Sequence, residues 1–223
     1  MFPALRALFR PRRPRWDWMQ VEVTTRCDAA CVYCPRTACG GGWRDEDMSM
    51  ALFRRVLAAS RGARHLHLQG WGEPLLHPRY PDMLAEAVQA GYVVGLTTNG
   101  VHLDAGMDGV LVDAGVDLVA LSLAGVGARN DAVRRGAPTA RVLAALDALR
   151  EAKARAGKAL PLCGGRPRDD NRTVAAGRML FGSVEDAPLA ELWRRPAYAA
   201  FRAAHARGTP PPPCEGCIKL RVH

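Results

Sequence analysis

Three cysteines, Cys27, Cys31 and Cys34, stand in a C-x₃-C-x₂-C array directly after an alternating run, Met19-Gln20-Val21-Glu22-Val23-Thr24. The run has the two-residue period of a half-buried strand. The array therefore occupies the loop beyond a strand's C-terminal end, where α/β folds place their sites. Three thiolates suit a cube of four irons, because each sulfur holds one iron and the fourth iron stays open to an outside ligand. Zinc is the alternative reading, although structural zinc sites usually show two separated cysteine or cysteine–histidine pairs.

The same alternation marks further strands. They are expected at Met19 to Thr25, His65 to Gln69, Val93 to Thr97 and Asp117 to Leu123. Between them lie segments with helical period. Ser49 can cap a helix whose Leu52, Phe53, Val56 and Leu57 share a face, and Tyr80 to Ala90 and Asp104 to Ala114 are shorter helices. Val142, Leu143, Leu146 and Leu149 form the apolar stripe of a longer helix after Pro138. Strand and helix alternate strictly, which implies a parallel sheet with right-handed crossovers.

Four motifs along this pattern carry a family resemblance. Cys27-Asp28-Ala29-Ala30-Cys31-Val32-Tyr33-Cys34 resembles the signature of the radical S-adenosylmethionine (SAM) enzymes, including the aromatic residue before the third cysteine. Gln69-Gly70-Trp71-Gly72-Glu73-Pro74 resembles their GGEP segment, with Trp71 in place of a glycine. Thr97-Thr98-Asn99-Gly100 and Leu121-Ser122-Leu123 resemble the ends of the third and fourth strands of that family. Beyond these four, Arg135-Gly136 resembles a family segment that can lie near the cofactor carboxylate.

The resemblance implies a [4Fe–4S] cluster on Cys27, Cys31 and Cys34 and bound SAM, cleaved reductively to a 5′-deoxyadenosyl radical that abstracts a substrate hydrogen. It places Tyr33 beside the adenine, Gly72, Glu73 and Pro74 at the methionine amino group, Ser122 at the ribose, and Asn99 and Arg135 near the cofactor. It also implies a reducing partner such as a flavodoxin or ferredoxin. Relatives with a similar C-terminal extension commonly modify peptides or proteins or build peptide-derived cofactors, so a peptide or protein substrate is expected. Taken alone, Glu73 reads as an ordinary exposed loop acid.

The family core is a partial barrel of six β/α units, whereas about four fit between residue 18 and residue 155 here. The expected fold is thus a shortened partial (β/α) barrel: a basic arm at 1–16, a core at 17–157 and a small cysteine-containing region at 158–223. A shortened sheet leaves an open edge and an uncovered apolar face, which a partner, a swapped segment or the C-terminal region must cover.

The C-terminal region has Cys163-Gly164, Gly177-Arg178-Met179, a helix around Leu189 to Phe201, and Cys214-Glu215-Gly216-Cys217. This resembles the SPASM or twitch extension, which holds auxiliary iron–sulfur clusters. One expected cysteine is missing where the chain reads Met179-Leu180-Phe181-Gly182. Cys163, Cys214 and Cys217 remain as ligands of a second cluster, of zinc, or of nothing, and Cys39 is unassigned.

Composition excludes little. The net charge of +9 comes largely from arginine on an alanine-rich chain, as a GC-rich genome produces, and does not by itself indicate a nucleic-acid surface. Seven cysteines, an odd number in metal-like groups, point to a reducing, cytoplasmic setting and not a disulfide framework. The first residues are broken by Arg6 and Arg10 and read neither as a secretory signal nor as a spanning helix. Two rivals to an enzyme stay open: a degenerate or partner-dependent iron–sulfur or SAM-binding protein, and a zinc-stabilised interaction module.

Overall fold

In the computed structural model, residues 17–167, 183–209 and 211 are described. Five parallel strands, β1 (Trp18–Val21), β3 (His65–Leu68), β4 (Val93–Thr98), β5 (Leu118–Leu123) and β7 (Leu162–Pro167), form one sheet in the order β1-β3-β4-β5-β7. A two-stranded antiparallel ribbon, β2 (Ala30–Cys31) and β6 (Arg134–Arg135), stands apart from it. The helices are α1 (Pro35–Cys39), α2 (Met50–Ala59), α3 (Tyr80–Gln89), α4 (Ala105–Ala114), α5 (Ala128–Val133), α6 (Thr139–Arg155), α7 (Leu189–Arg194) and α8 (Pro196–Ala206).

Local chemistry explains where the crossover helices start and stop. The Ser49 side chain accepts from Leu52 N at the start of α2, and Asp104 Oδ1 accepts from Met107 N at the start of α4. Each satisfies a backbone donor that the first helical turn leaves free. Helix α4 stops at Gly115, whose φ of 74° a side-chain-bearing residue rarely adopts.

Val21, Leu66, Leu68, Val94, Leu96, Val119 and Leu121 occupy one phase of the strands and are buried against Phe53 and Leu57 of α2, Met83 and Leu84 of α3, Leu111 of α4 and Leu149 of α6. Burying each such side chain stabilises the fold by about 1.5–3 kcal/mol. The α6 stripe differs from expectation: Val142, Ala145 and Leu149 are buried, while Leu143 is 41% exposed. The small Ala145 lets α6 approach the sheet.

Strand β1 is shorter than expected. After Val21 the chain leaves β3, and Val23 O instead accepts from Met48 N while Thr25 N donates to Glu46 O. A second difference lies in the fifth strand. β7 comes from the segment expected to start the C-terminal region, and Leu118 to Leu123 pair in parallel with Leu162 to Pro167. The sheet therefore extends one strand past the four expected units and, among the described residues, stays open with β1 and β7 as its edges.

Candidate functional site

At the C-terminal ends of the strands lies a cavity of about 500 Å³, its open mouth included. Its lining contains Cys27, Cys31, Tyr33 and Cys34 from the loop after β1, Gly70 to Glu73 after β3, Thr97 to Asn99 at the end of β4, Ser122 of β5 and Arg134 of β6. The fold thus gathers the four sequence motifs on one concavity.

The cysteine loop is held from three sides. Cys31 pairs with Arg134 and Ala30 with Arg135 across the β2–β6 ribbon. Asp28 accepts from Asn99 Nδ2 at 2.7 Å and lies 2.9 Å from His102 Nε2. Asn99 is 4% exposed, and its remaining groups are engaged too: its N donates to Glu73 Oε2 at 2.6 Å and its Oδ1 accepts from Val101 N at 2.8 Å.

Glu73 departs from the exposed acid that its loop position suggests. It is 2% exposed, and its carboxylate accepts from Thr98 Oγ1 at 2.7 Å, from Asn99 N and from Leu75 N. Burial pushes its carboxyl up to about 7 against these hydrogen bonds. The carboxylate is therefore a hub between two strand ends. Pro74 opens the short 3₁₀ turn Pro74–Leu76, is buried, and lies outside the cavity lining.

Glu22, which the motifs did not single out, fixes the Gly70–Gly72 turn. Its Oε1 accepts from Trp71 N and, at 3.1 Å, from Gly72 N. Its place on the polar phase of the alternating run reads locally as a solvent-facing side chain, and only the fold turns it to the 70–72 turn. Thr97 also lines the cavity, its Oγ1 lying 2.8 Å from Nε2 of the buried His67.

The arginine at the cavity is Arg134, not Arg135. Arg134 is 4% exposed and its Nη1 donates to Tyr33 Oη at 2.5 Å, while its Nε has no hydrogen-bond partner among the described residues. Arg135 is exposed and lies outside the lining. In a two-residue strand, neighbouring side chains point to opposite faces, and only the pairing with β2 decides which one turns inward.

The donor set fits an iron–sulfur cube better than one ion. None of the three cysteines is in a disulfide, and all three line one cavity. Burial pushes the Cys27 thiol up to about 11, so a bound cation is what would hold it as thiolate. Among the described residues no three His, Cys, Asp or Glu side chains close on a single metal ion. A cube does not require that closure, because each thiolate takes a different iron. Cys163 is elsewhere, on β7 against the main core. Cys214 and Cys217 lie outside the described residues.

A family model described as the radical SAM superfamily matches residues 21–173, well over half of the chain, and one described as an iron-sulfur cluster-binding domain, SPASM, matches residues 160–218. The chain is 34% identical over 111 residues to the tungsten-containing aldehyde ferredoxin oxidoreductase cofactor-modifying protein of Pyrococcus furiosus, covering 48% of this chain and 30% of that protein. It is 36% identical over 111 residues to PqqA peptide cyclase of Methylorubrum populi, covering 49% and 28%. The chain thus spans less than a third of the length of these relatives.

Among solved structures, BtrN in complex with AdoMet and 2-DOIA superposes with a TM-score of 0.60 at 16% identity, over 91% of this chain and 93% of that one. That likeness is one of fold, and it shows that the architecture is shared by a solved chain of similar extent. The cofactors that go with these matches are a [4Fe–4S] cluster and SAM, with the SPASM match adding an iron–sulfur-binding domain. The chain belongs to the radical SAM superfamily.

Proposed function

We propose that this protein is a radical SAM enzyme that modifies a peptide or protein substrate, with Cys27, Cys31 and Cys34 holding the cluster at which SAM is cleaved. The observation that carries this reading is the convergence on one cavity of three cysteines, Tyr33, Ser122 and Arg134, whose Nε has no hydrogen-bond partner among the described residues. Held by Cys27, Cys31 and Cys34, the cluster would supply the electron for reductive cleavage of SAM, and SAM the 5′-deoxyadenosyl group for hydrogen abstraction from the substrate.

The chain's own residues bind and orient. The N–H groups of Trp71 and Gly72 are engaged by Glu22 and that of Glu73 by Arg26 O, while Glu73 O accepts from Leu76 N, so the turn's contribution to SAM would come from the carbonyl oxygens of residues 70–72. Acceptors there suit the ammonium of SAM. Arg134 would take the carboxylate of SAM, Tyr33 would flank the adenine and Ser122 would meet a ribose hydroxyl. Buried walls around these groups keep water from the reacting atoms.

A peptide substrate is supported by the likeness to a peptide cyclase. The sheet's other phase also exposes Trp18, Leu118 and Leu162, apolar surface of the kind an extended polypeptide covers. A flavodoxin or ferredoxin would deliver the electron, in a reducing, cytoplasmic setting. No described helix is long and apolar enough to cross a membrane.

The test is the iron and sulfide content of anaerobically reconstituted protein, read beside 5′-deoxyadenosine release with SAM and a reductant. Four irons per chain or more, with deoxyadenosine formed, is the expected result. Cys34→Ala should reduce release at least 100-fold; a variant that still cleaved SAM would refute the assignment. Iron without cleavage would favour a degenerate or partner-dependent protein, and zinc alone an interaction module.

A further inference from the structure

The cysteine loop is anchored by its backbone on either side of Cys27. Before it, Arg26 O accepts from Glu73 N; after it, Val32 N donates to Val133 O, Cys34 N to Cys31 O and Ala38 N to Cys34 O. Cys27, Asp28 and Ala29 span the gap between these anchors, and the Asp28 side chain ties that span to the rest of the fold. One Asp28 oxygen accepts from Asn99 Nδ2 at 2.7 Å, and the other lies 2.9 Å from His102 Nε2. Both partners come from the turn after β4, 71 and 74 residues along the chain.

That turn has a fixed shape of its own. Asn99 N donates to Glu73 Oε2, Asn99 Oδ1 accepts from Val101 N, and Gly100 between them takes a φ of 84°. With these groups engaged in the turn, the Asn99 amide is held with Nδ2 toward Asp28. Val101 packs against the small apolar group of Ala29, Cys31 and Ala137, which Cys27 and Cys34 also join. Polar and apolar contacts from one turn therefore meet on the segment that carries the first thiol.

Burial pushes the Cys27 thiol up, and a backbone hydrogen bond from Ala29 opposes it. That donor belongs to the peptide unit between Asp28 and Ala29. The orientation of Asp28 thus sets both the place of the Cys27 sulfur and the aim of a donor at it. Asp28 is not among the residues that line the cavity, so its influence passes through Cys27.

On the reading that Cys27, Cys31 and Cys34 hold the cluster, we propose that Asp28, held by Asn99 and His102, is a positioning residue that fixes Cys27 for its iron and governs how tightly the cluster is retained. Groups behind a metal ligand that orient it typically contribute about 10- to 100-fold to metal affinity.

The experiment compares anaerobically reconstituted parent, Asp28→Asn and Asp28→Ala proteins. Both variants remove the carboxylate, but asparagine keeps both contacts, its oxygen accepting from Asn99 and its amide donating to the imidazole. Iron transfer to an excess of a ferrous chelator is timed, beside the electron paramagnetic resonance spectrum of the dithionite-reduced protein. Asp28→Ala should release about four irons at least 10-fold faster than Asp28→Asn, with an altered spectrum. Asp28→Asn should stay within about 3-fold of the parent and keep its spectrum. A folded Asp28→Ala that takes up no iron, beside a loaded Asp28→Asn, is the same outcome in its extreme form.

Asn99→Ala gives a second line of evidence. It should also speed iron release, and the double variant should release iron less than about 2-fold faster than Asp28→Ala, because both substitutions break one bond. Equal release from Asp28→Asn and Asp28→Ala, or effects that multiply in the double variant, would overturn the proposal. A parent that binds no iron would overturn the cluster assignment and the proposal with it, whereas a loaded parent matched by all its variants would overturn the proposal alone.

Discussion

Cys31 and Arg134 face each other in the β2–β6 ribbon, so one cross-strand pair carries a thiol and a guanidinium to the same cavity. A buried guanidinium with an unpartnered Nε is costly unless a ligand anion completes it. One residue further on, Arg135 meets solvent. Charge-assisted hydrogen bonds contribute about 1.5–3 kcal/mol. Arg134→Ala should accordingly weaken SAM binding to the reconstituted protein by about 10- to 100-fold in calorimetric titration, and Arg135→Ala by less than about 2-fold. Equal losses would place the anion site elsewhere. The thiols were legible from spacing, and Tyr33 and Ser122 from the resemblance of the motifs that hold them, but the choice between adjacent arginines was not, because it depends on a strand pairing across about one hundred residues.

The Gly70–Glu73 turn is the element that ties β3 to the cysteine loop, and its two glycines answer to different neighbours. A Cβ on Gly72 would overlap the Thr24 carbonyl oxygen and lie 2.9 Å from Arg26 O, both backbone atoms that cannot swing aside. A Cβ on Gly70 would overlap the Glu22 carboxylate, a side chain that can move but then releases the N–H groups of Trp71 and Gly72. Gly72→Ala should therefore cost more than about 3 kcal/mol in urea unfolding, and Gly70→Ala about 1–2 kcal/mol. Equal costs would show that the backbone near Thr24 yields. The glycines were visible as a motif; the reason for each is a contact with β1's continuation, which no local pattern contains.

At the scale of the whole molecule, the sheet formed by the described residues is open and its helix layer carries an unresolved tension. Asp108 of α4 is 1% exposed and its Oδ1 has no hydrogen-bond partner among the described residues. Burial first, then Asp104, push its carboxyl up to about 6, against the pull of Arg155. A carboxyl raised in the folded state supports stability that is fully present below its unfolded value and is lost as pH rises through about 6. Asp108→Asn should therefore gain on the parent between pH 5 and pH 7.5 by about 1–2 kcal/mol, or about 3–6 °C in melting temperature. Thermal melts at the two pH values check this, and a gain independent of pH would assign the effect to packing instead.

The sequence by itself determined the alternation of strand and helix, the helix starts at Ser49 and Asp104, and the gathering of three thiols beyond the first strand. Those follow from period, capping and spacing, which are local properties of the chain. Tertiary structure alone decided that Glu73 is a buried hub, that Glu22 and Arg134 belong to the site, and that β7 joins the sheet with Cys163 half-buried against the core. Each of those depends on which partner a residue meets across the fold, and a buried hydrogen bond or a strand register has no energy until both sides are in place.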